Sequence, residues 1–296
     1  METDMTEFAL QPVSDGFVAN VRGLKLAGGI SDLAFAEFDR ALAHYGVLIV
    51  RNEVAMNDDD QESLIKRFGP PVKSVINANK SAEELAKIRP YFLDIATVDE
   101  AGRPLDKDSF ERLYHLGNLL WHTDGTQIQP PIRVTMLSAR ALPPNPPDTE
   151  YADMRAAWDA LPEAEKKRLE HLTVEHSILV SRAKVGLTDF PQEALKMRPP
   201  VVHPLVRTHP VTGRKSLYLA SHASHIIGWP KSQGEELLQQ LTEHATQKQF
   251  VYAHKWQTGD MLVWDDTFTM HRATPYDEPH PRKMRWTGAQ ELAPTT

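Results

Sequence analysis

Cysteine is absent from the 296-residue chain. That excludes disulfides, zinc–thiolate sites, iron–sulfur clusters and a cysteine nucleophile, so any metal must sit on nitrogen and oxygen. No apolar run is long enough to cross a bilayer. Basic charge is also in short supply. Against 40 acidic residues stand 33 lysines and arginines, a formal net charge of −7 that repels a phosphate backbone and offers no basic stripe. The opening Met1-Glu2-Thr3-Asp4-Met5-Thr6-Glu7 is acidic and polar, the reverse of a secretory signal. The expectation is a soluble, cytoplasmic protein with neither nucleic acid nor membrane as partner.

What is present is an ordinary globular balance, 41% hydrophobic and 25% charged, in a chain long enough to bury a sizeable core. Alternating apolar residues predict strand around Phe17 to Val21 and Leu24 to Leu26. Ser31 and Asp32 cap a helical run from Leu33 to His44. Val47 to Val50 is a short buried strand, and Asp58 to Phe68 a second helix stopped by Gly69-Pro70-Pro71. From Lys80 to Leu116 the chain is polar and mixed, either a covering excursion over a site or an ordinary surface insertion. Arg133 to Arg140 reads as strand, and Ala152 to Ala160 and Glu163 to Leu172 as helix. Val201 to Arg207 and Lys215 to Ala220 read as strands, and Gln233 to Thr246 as helix. Short strands at fairly regular spacing, with helices at the start and in insertions, predict a mainly β sandwich or barrel with flanking helices. No repeat or linker divides it, so residues 1–296 are expected to form a single domain.

The thirteen histidines are the residues to sort. Trp121-His122-Thr123-Asp124 sets an imidazole and a carboxylate two residues apart, which on an extended strand puts both on one face. His271 is the best third ligand. Two histidines and one carboxylate on one face of an iron leave the opposite positions open, the arrangement of non-haem iron(II) oxygenases. The His-x-Asp pattern is short, and a histidine is as readily an ordinary polar residue. Arg282 strengthens the metal reading, because the far carboxylate of a bound 2-oxoglutarate needs a planar, always-charged partner. A surface arginine is the plain alternative.

The chain resembles the taurine/2,4-dichlorophenoxyacetate dioxygenase (TauD/TfdA) family of Fe(II)- and 2-oxoglutarate-dependent enzymes, nearest its phenoxyacetate-dioxygenase branch. The likeness is carried by His44-Tyr45-Gly46-Val47-Leu48-Ile49-Val50, Arg67-Phe68-Gly69-Pro70, Gly117-Asn118-Leu119-Leu120-Trp121-His122-Thr123-Asp124, the stretch Asp148 to Leu161, Pro204 to Pro210, and Asp260 to Asp266. It implies a double-stranded β-helix, or jelly-roll, core. It implies ligation by His122, Asp124 and His271, with Arg282 and Thr149 on the far carboxylate of 2-oxoglutarate and Asn118 beside the oxo acid. It further implies Fe(II), 2-oxoglutarate and O2 acting on a small-molecule substrate, with succinate and CO2 released, and by analogy a homo-oligomer. Related halogenases lack the carboxylate, so Asp124 argues against halogenation.

Three departures stand out. The branch carries a second arginine four positions after the first, where this chain has Trp286. Arg285, one residue short, would face the opposite way unless a bulge shifts the register. Gly125-Thr126-Gln127 replaces serines and an aromatic, favouring a more polar substrate such as an amino-acid derivative, and Pro146-Pro147 replaces a glycine pair. The leading expectation is therefore hydroxylation of a C–H bond in a small carboxylate-bearing molecule. A biosynthetic oxygenase performing desaturation or ring closure on an amino-acid-like substrate is the runner-up, and a non-catalytic jelly-roll that binds a small acid is the reading from another class. His222 and His225 are expected to serve structure, with a lesser chance that His222 touches substrate. His176, His203, His209, His244 and His254 are assigned to the surface or to satisfied core positions.

Overall fold

Aliphatic alternation in the strands feeds two different dry layers, and this decides where the site lies. The structure, a computed structural model, describes all residues except 1–6, 15, 27, 74–88, 100–101, 107, 191, 277–279 and 293–296. In chain order the strands are β1 (Ala9–Ser14), β2 (Val18–Arg22), β3 (Val47–Arg51), β4 (Leu93–Ala96), β5 (Ile132–Ala141), β6 (Thr149–Asp153), β7 (Thr173–His176), β8 (Val201–Pro204), β9 (Val206–Thr208), β10 (Lys215–Leu217), β11 (Ala223–Ile226), β12 (Val251–His254), β13 (Asp260–Asp265), β14 (Thr269–Ala273) and β15 (Lys283–Gln290). A seven-stranded sheet runs β1-β2-β3-β13-β5-β15-β4, antiparallel except for the parallel β2–β3 pair. Facing it is the three-stranded sheet β12-β6-β14. Together they make an open jelly-roll core.

Residue parity assigns the faces. Leu48, Val50, Val134, Met136, Met261 and Val263 point outward and are covered by helices α1 (Asp32–Tyr45) and α2 (Asp58–Phe68). Their neighbours Val47, Ile49, Leu137, Leu262, Trp264, Met284 and Trp286 point inward, toward Tyr151 of the small sheet. Burial on both faces explains why Val47 to Val50 is an unbroken aliphatic run rather than an alternating one.

The helix starts follow capping chemistry. The Ser31 hydroxyl accepts from the Ala34 amide at 3.1 Å, and the Asn57 side chain from the Asp60 amide at 2.9 Å, ahead of three acidic residues that suit the positive end of α2. Some expectations need correction. Leu24 to Leu26, expected as strand, lies beyond β2 without strand pairing. Ala152 and Asp153 are strand, not helix, because their backbone groups are taken by β12 and β14. The helix begins at Met154, where the Asp153 carboxylate accepts from the Arg155 and Ala156 amides. The expected polar excursion contributes Leu93–Ala96 as an edge strand on β15 and a helix at Phe110–Leu116, while residues 80–88 lie outside the described residues.

Gly46 links α1 to β3 at φ +92°, and its amide donates to Leu42 at 2.8 Å. A Cβ there would lie 2.5 Å from the Phe268 ring and 3.0 Å from that of Phe17. Replacing Gly46 with alanine is expected to lower unfolding free energy by about 2 kcal/mol, through left-handed strain and overpacking. Urea denaturation of both proteins measures it.

Candidate active site

His122 and His271 are joined through their backbones. The His122 amide donates to the His271 carbonyl at 2.9 Å and the His271 amide to the His122 carbonyl at 2.7 Å, an isolated antiparallel bridge that sets the imidazole centroids 4.2 Å apart. The expected extended strand through Asp124 is not what forms. After His122 the chain turns, with Gly125 at φ +72°, where a Cβ would lie 2.4 Å from the Ile132 side chain. The turn, rather than a two-residue period, brings the carboxylate to the imidazoles.

Ligand atoms of His122, Asp124 and His271 all lie within 4.8 Å of one another, and among the described residues this is the group able to hold a metal ion. His122 Nε2 is 3.7 Å from Asp124 Oδ1, and His271 Nε2 is 3.8 Å from Oδ2. His122 Nδ1 donates to the Leu120 carbonyl at 2.7 Å, which leaves the Nε2 lone pair facing the centre. Burial holds the His122 imidazole below its usual range. Burial and the neighbouring His122 push His271 down to about 3. Both rings are thus neutral, the form a metal needs. Two neutral imidazoles and a carboxylate, with no sulfur, form a donor set that fits Fe(II).

Asp124 is oriented by residues that the sequence reading did not assign to it. The Trp286 indole donates to its Oδ2 at 2.9 Å, and the Thr135 hydroxyl lies 3.2 Å from the same oxygen. The Asp124 amide donates to Asp266 at 3.0 Å, and Asp266 also accepts from Trp264 at 3.0 Å and Thr135 at 2.6 Å. Burial, then the charge of Asp124, pushes the Asp266 carboxyl well up, while these three donors pull it the other way. The only signal for this network in the sequence was the departure at Trp286, since an indole donor on the inward parity of β15 can reach whatever lies between the sheets. Gly288, two residues on, leaves room for the ring: a Cβ there would lie 2.9 Å from it.

The cavity over the triad is lined by Arg282, Thr149 and Asn118, the three residues that the resemblance assigns to the oxo acid. Arg282 is 4% exposed and its Nε has no partner. The Thr149 hydroxyl accepts from the Trp256 indole at 2.8 Å, so its own proton is available to the cavity. Arg285 does not enter. The register irregularity pairs Lys283 with Ala141 and Met284 with Ala139, so the extra residue, Arg140, sits on β5 and β15 keeps its alternation. Arg285 lies on the outer face, 2.8 Å from Asp58 and 2.5 Å from Asp94.

Of the other histidines, His209, His244 and His254 are satisfied by polar partners, as expected, whereas His176 is fully buried with neither ring nitrogen hydrogen-bonded, a departure from the expected surface or satisfied position. His209 meets Asp265 at 3.2 Å and His254 meets Asp260 at 2.9 Å, while His244 meets the Ala157 carbonyl at 2.8 Å. His176 and His203 pack against Tyr218, and burial lowers them to about 3 and about 4. His225 lies 2.8 Å from the Ser224 hydroxyl. His222 lies 2.7 Å from the Ser181 hydroxyl, edge-on to His122, and also lines the cavity.

The family described as taurine catabolism dioxygenase TauD, TfdA family matches residues 9–287. The chain belongs to that family. It is 38% identical over 274 residues to an alpha-ketoglutarate-dependent 2,4-dichlorophenoxyacetate dioxygenase of Cupriavidus pinatubonensis, covering 93% of this chain and 94% of the relative. It is 32% identical over 284 residues to an (S)-phenoxypropionate/alpha-ketoglutarate dioxygenase of Sphingobium herbicidovorans, covering 94% and 93%. The crystal structure of AAD-2 in complex with Mn(II) and N-oxalylglycine superposes with a TM-score of 0.87 at 38% identity, covering 98% of both chains. This TauD/TfdA-family chain is an Fe(II)- and 2-oxoglutarate-dependent dioxygenase that consumes O2 and acts on a small molecule.

Trp286 gives this dioxygenase a direct test. Trp286→Phe keeps an aromatic wall but removes the donor to Asp124. Mn(II) affinity measured by calorimetry is expected to fall about 10-fold, the lower end of the effect of losing a partner behind a metal ligand. Unchanged affinity would show that Thr135 and Asp266 suffice.

Proposed function

We propose that His122, Asp124 and His271 hold the iron, that Arg282 and Thr149 bind the far carboxylate of 2-oxoglutarate, and that Asn118 lies beside the oxo acid. The dioxygenase hydroxylates a C–H bond of a small carboxylate-bearing molecule: R–H, 2-oxoglutarate and O2 give R–OH, succinate and CO2. The observation that carries this reading is the convergence of three facing ligand atoms and a buried arginine whose Nε has no hydrogen-bond partner on one cavity. Residues 1–296 are taken to work as one catalytic domain, supported by a family match over 9–287.

Bound iron supplies the centre at which the oxo acid is chelated and O2 is activated. The chain supplies everything else. Two neutral imidazoles and one carboxylate would hold the iron from His122, Asp124 and His271. Trp286 and Thr135 fix the carboxylate. Arg282 orients 2-oxoglutarate with a rigid planar donor set, aided by the free Thr149 proton. Leu93, Ile95, Ile128 and Trp286 form an apolar wall that favours a substrate with an apolar body and excludes water. The relatives' phenoxyalkanoate names support an aryloxy acid. Gln127 Oε1 is buried in the same cavity without a partner, which favours a substrate carrying a donor and keeps the amino-acid-like alternative.

Anaerobic Fe(II) and 2-oxoglutarate are expected to produce a weak metal-to-ligand charge-transfer band in the visible. Its absence with metal bound would favour a non-catalytic acid-binding protein. Asp124→Ala is expected to abolish succinate formation, and retained turnover would remove the triad. Arg282→Leu is expected to raise the KM for 2-oxoglutarate roughly 100-fold, as for truncating one partner of a buried charge pair. Succinate release across aryloxyacids, sulfonates and amino acids identifies the substrate class.

A further inference from the structure

A second buried arginine faces the same cavity. Arg182 lies on the helix Ile178–Ala183 and is 4% exposed. Its guanidinium carbon sits 4.2 Å from the centre of the Tyr114 ring, and one terminal nitrogen donates to the Ser181 hydroxyl at 3.2 Å. The group lies against the Gly117 backbone, where an added Cβ would be 2.2 Å from a terminal nitrogen and would push the guanidinium aside. Its Nε has no acceptor, and among the described residues no carboxylate lies within ion-pair distance. A guanidinium stays charged, and a buried charge without a counter-charge is costly by several kcal/mol. Such a group is matched to a ligand that brings the counter-charge.

The other candidates for that task are occupied. Arg285 is on the far face with Asp58 and Asp94. Trp286 donates its one proton to Asp124. Arg282 lies at the start of β15 beside Tyr276, where the far carboxylate of 2-oxoglutarate is assigned. Arg182 is on a different element, next to His222 and close enough to His122 for its charge to help lower both rings. Arg198, whose guanidinium donates to the Lys73 carbonyl at 2.7 Å, lines the same region and adds positive potential.

We infer that Arg182 is the anchor for the anionic group of the prime substrate, and that the dioxygenase selects a monoanion whose carboxylate pairs with Arg182 while its apolar body lies along Leu93, Ile95 and Trp286. This rests on the proposed dioxygenase site and names the part of that site which chooses the substrate. The anchor enters from a helix packed against β11 instead of from β15, so the departure at Trp286 removes one cation position while leaving the cavity able to bind acids. The reacting carbon is then set by its distance from Arg182.

The experiment uses full-length protein loaded with Mn(II) and N-oxalylglycine, and follows ligand binding by calorimetry. The probes are phenoxyacetate, the neutral isostere phenoxyacetamide and phenylmethanesulfonate. Wild-type protein is expected to bind phenoxyacetate at least about 50-fold more tightly than the amide, and Arg182→Met to lose roughly 100-fold for the acid and less than about 3-fold for the amide, the pattern of a lost buried charge partner. Arg182→Lys, which keeps the charge but not the planar fork, is expected to fall between them. Tighter binding of the sulfonate than of the acid would keep the anchor and change its preferred anion. Fe(II)–2-oxoglutarate charge-transfer titration, expected to change less than about 3-fold in each variant, reports a folded site and keeps the two readings separate. A wild-type protein without that band fails the dioxygenase reading. With the band present, equal binding of acid and amide, no binding of either anion, or an Arg182→Met defect confined to 2-oxoglutarate overturns the anchor.

Discussion

The two backbone hydrogen bonds between His122 and His271 are the constraint on which the site depends. They tie a turn-bound segment to β14, and β14 is laddered to β6 with His271 opposite Tyr151 and Ala273 opposite Thr149. One small sheet therefore sets both the spacing of the proposed histidine ligands and the position of Thr149. The backbone bonds set the spacing, and the Tyr151 ring of the same sheet stacks on His271 with centroids 5.8 Å apart, while Nδ1 of His271 has no hydrogen-bond partner.

The large sheet contributes the complementary half. Trp286, Thr135 and Trp264 come from adjacent strands β15, β5 and β13, all on the inward parity, and converge on Asp124 and Asp266. The dry layer between the sheets keeps water from competing for these hydrogen bonds, which makes each firmer than it would be at the surface. Outward parity on the same strands carries a separate polar system, in which Gln61 of α2 meets Ser138, Arg140 and Thr287. Sheet chemistry is thus sorted by odd and even residues, catalytic inside and helix-docking outside.

Much of this was legible in the chain. Val47 to Val50 declares itself by an aliphatic run, α1 by its cap and α2 by its proline stop, and the proposed ligands by donor type once thiols are excluded. Parity, a local property, left Arg285 facing away unless a bulge intervened, and the structure puts the extra residue on β5 instead of β15. What escaped depended on long-range pairing. Ala152 and Asp153 have helix-compatible side chains and become strand only because β12 and β14 are there to pair with them. Trp286 read as a missing arginine because no sequence pattern says which oxygen an indole will meet. Arg182 sat unremarked in a short helix because an unpaired buried charge is visible only when all of its neighbours are in place.

Trp286 also limits how this pocket can be redesigned. The ring is at once a wall of the cavity and the donor that steadies the metal's carboxylate. Trimming it to admit a bulkier substrate would slacken the metal site in the same stroke, so volume and metal grip cannot be tuned independently at this position. Leu93 and Ile95 carry no such second duty. An engineer seeking room should start on the edge strand.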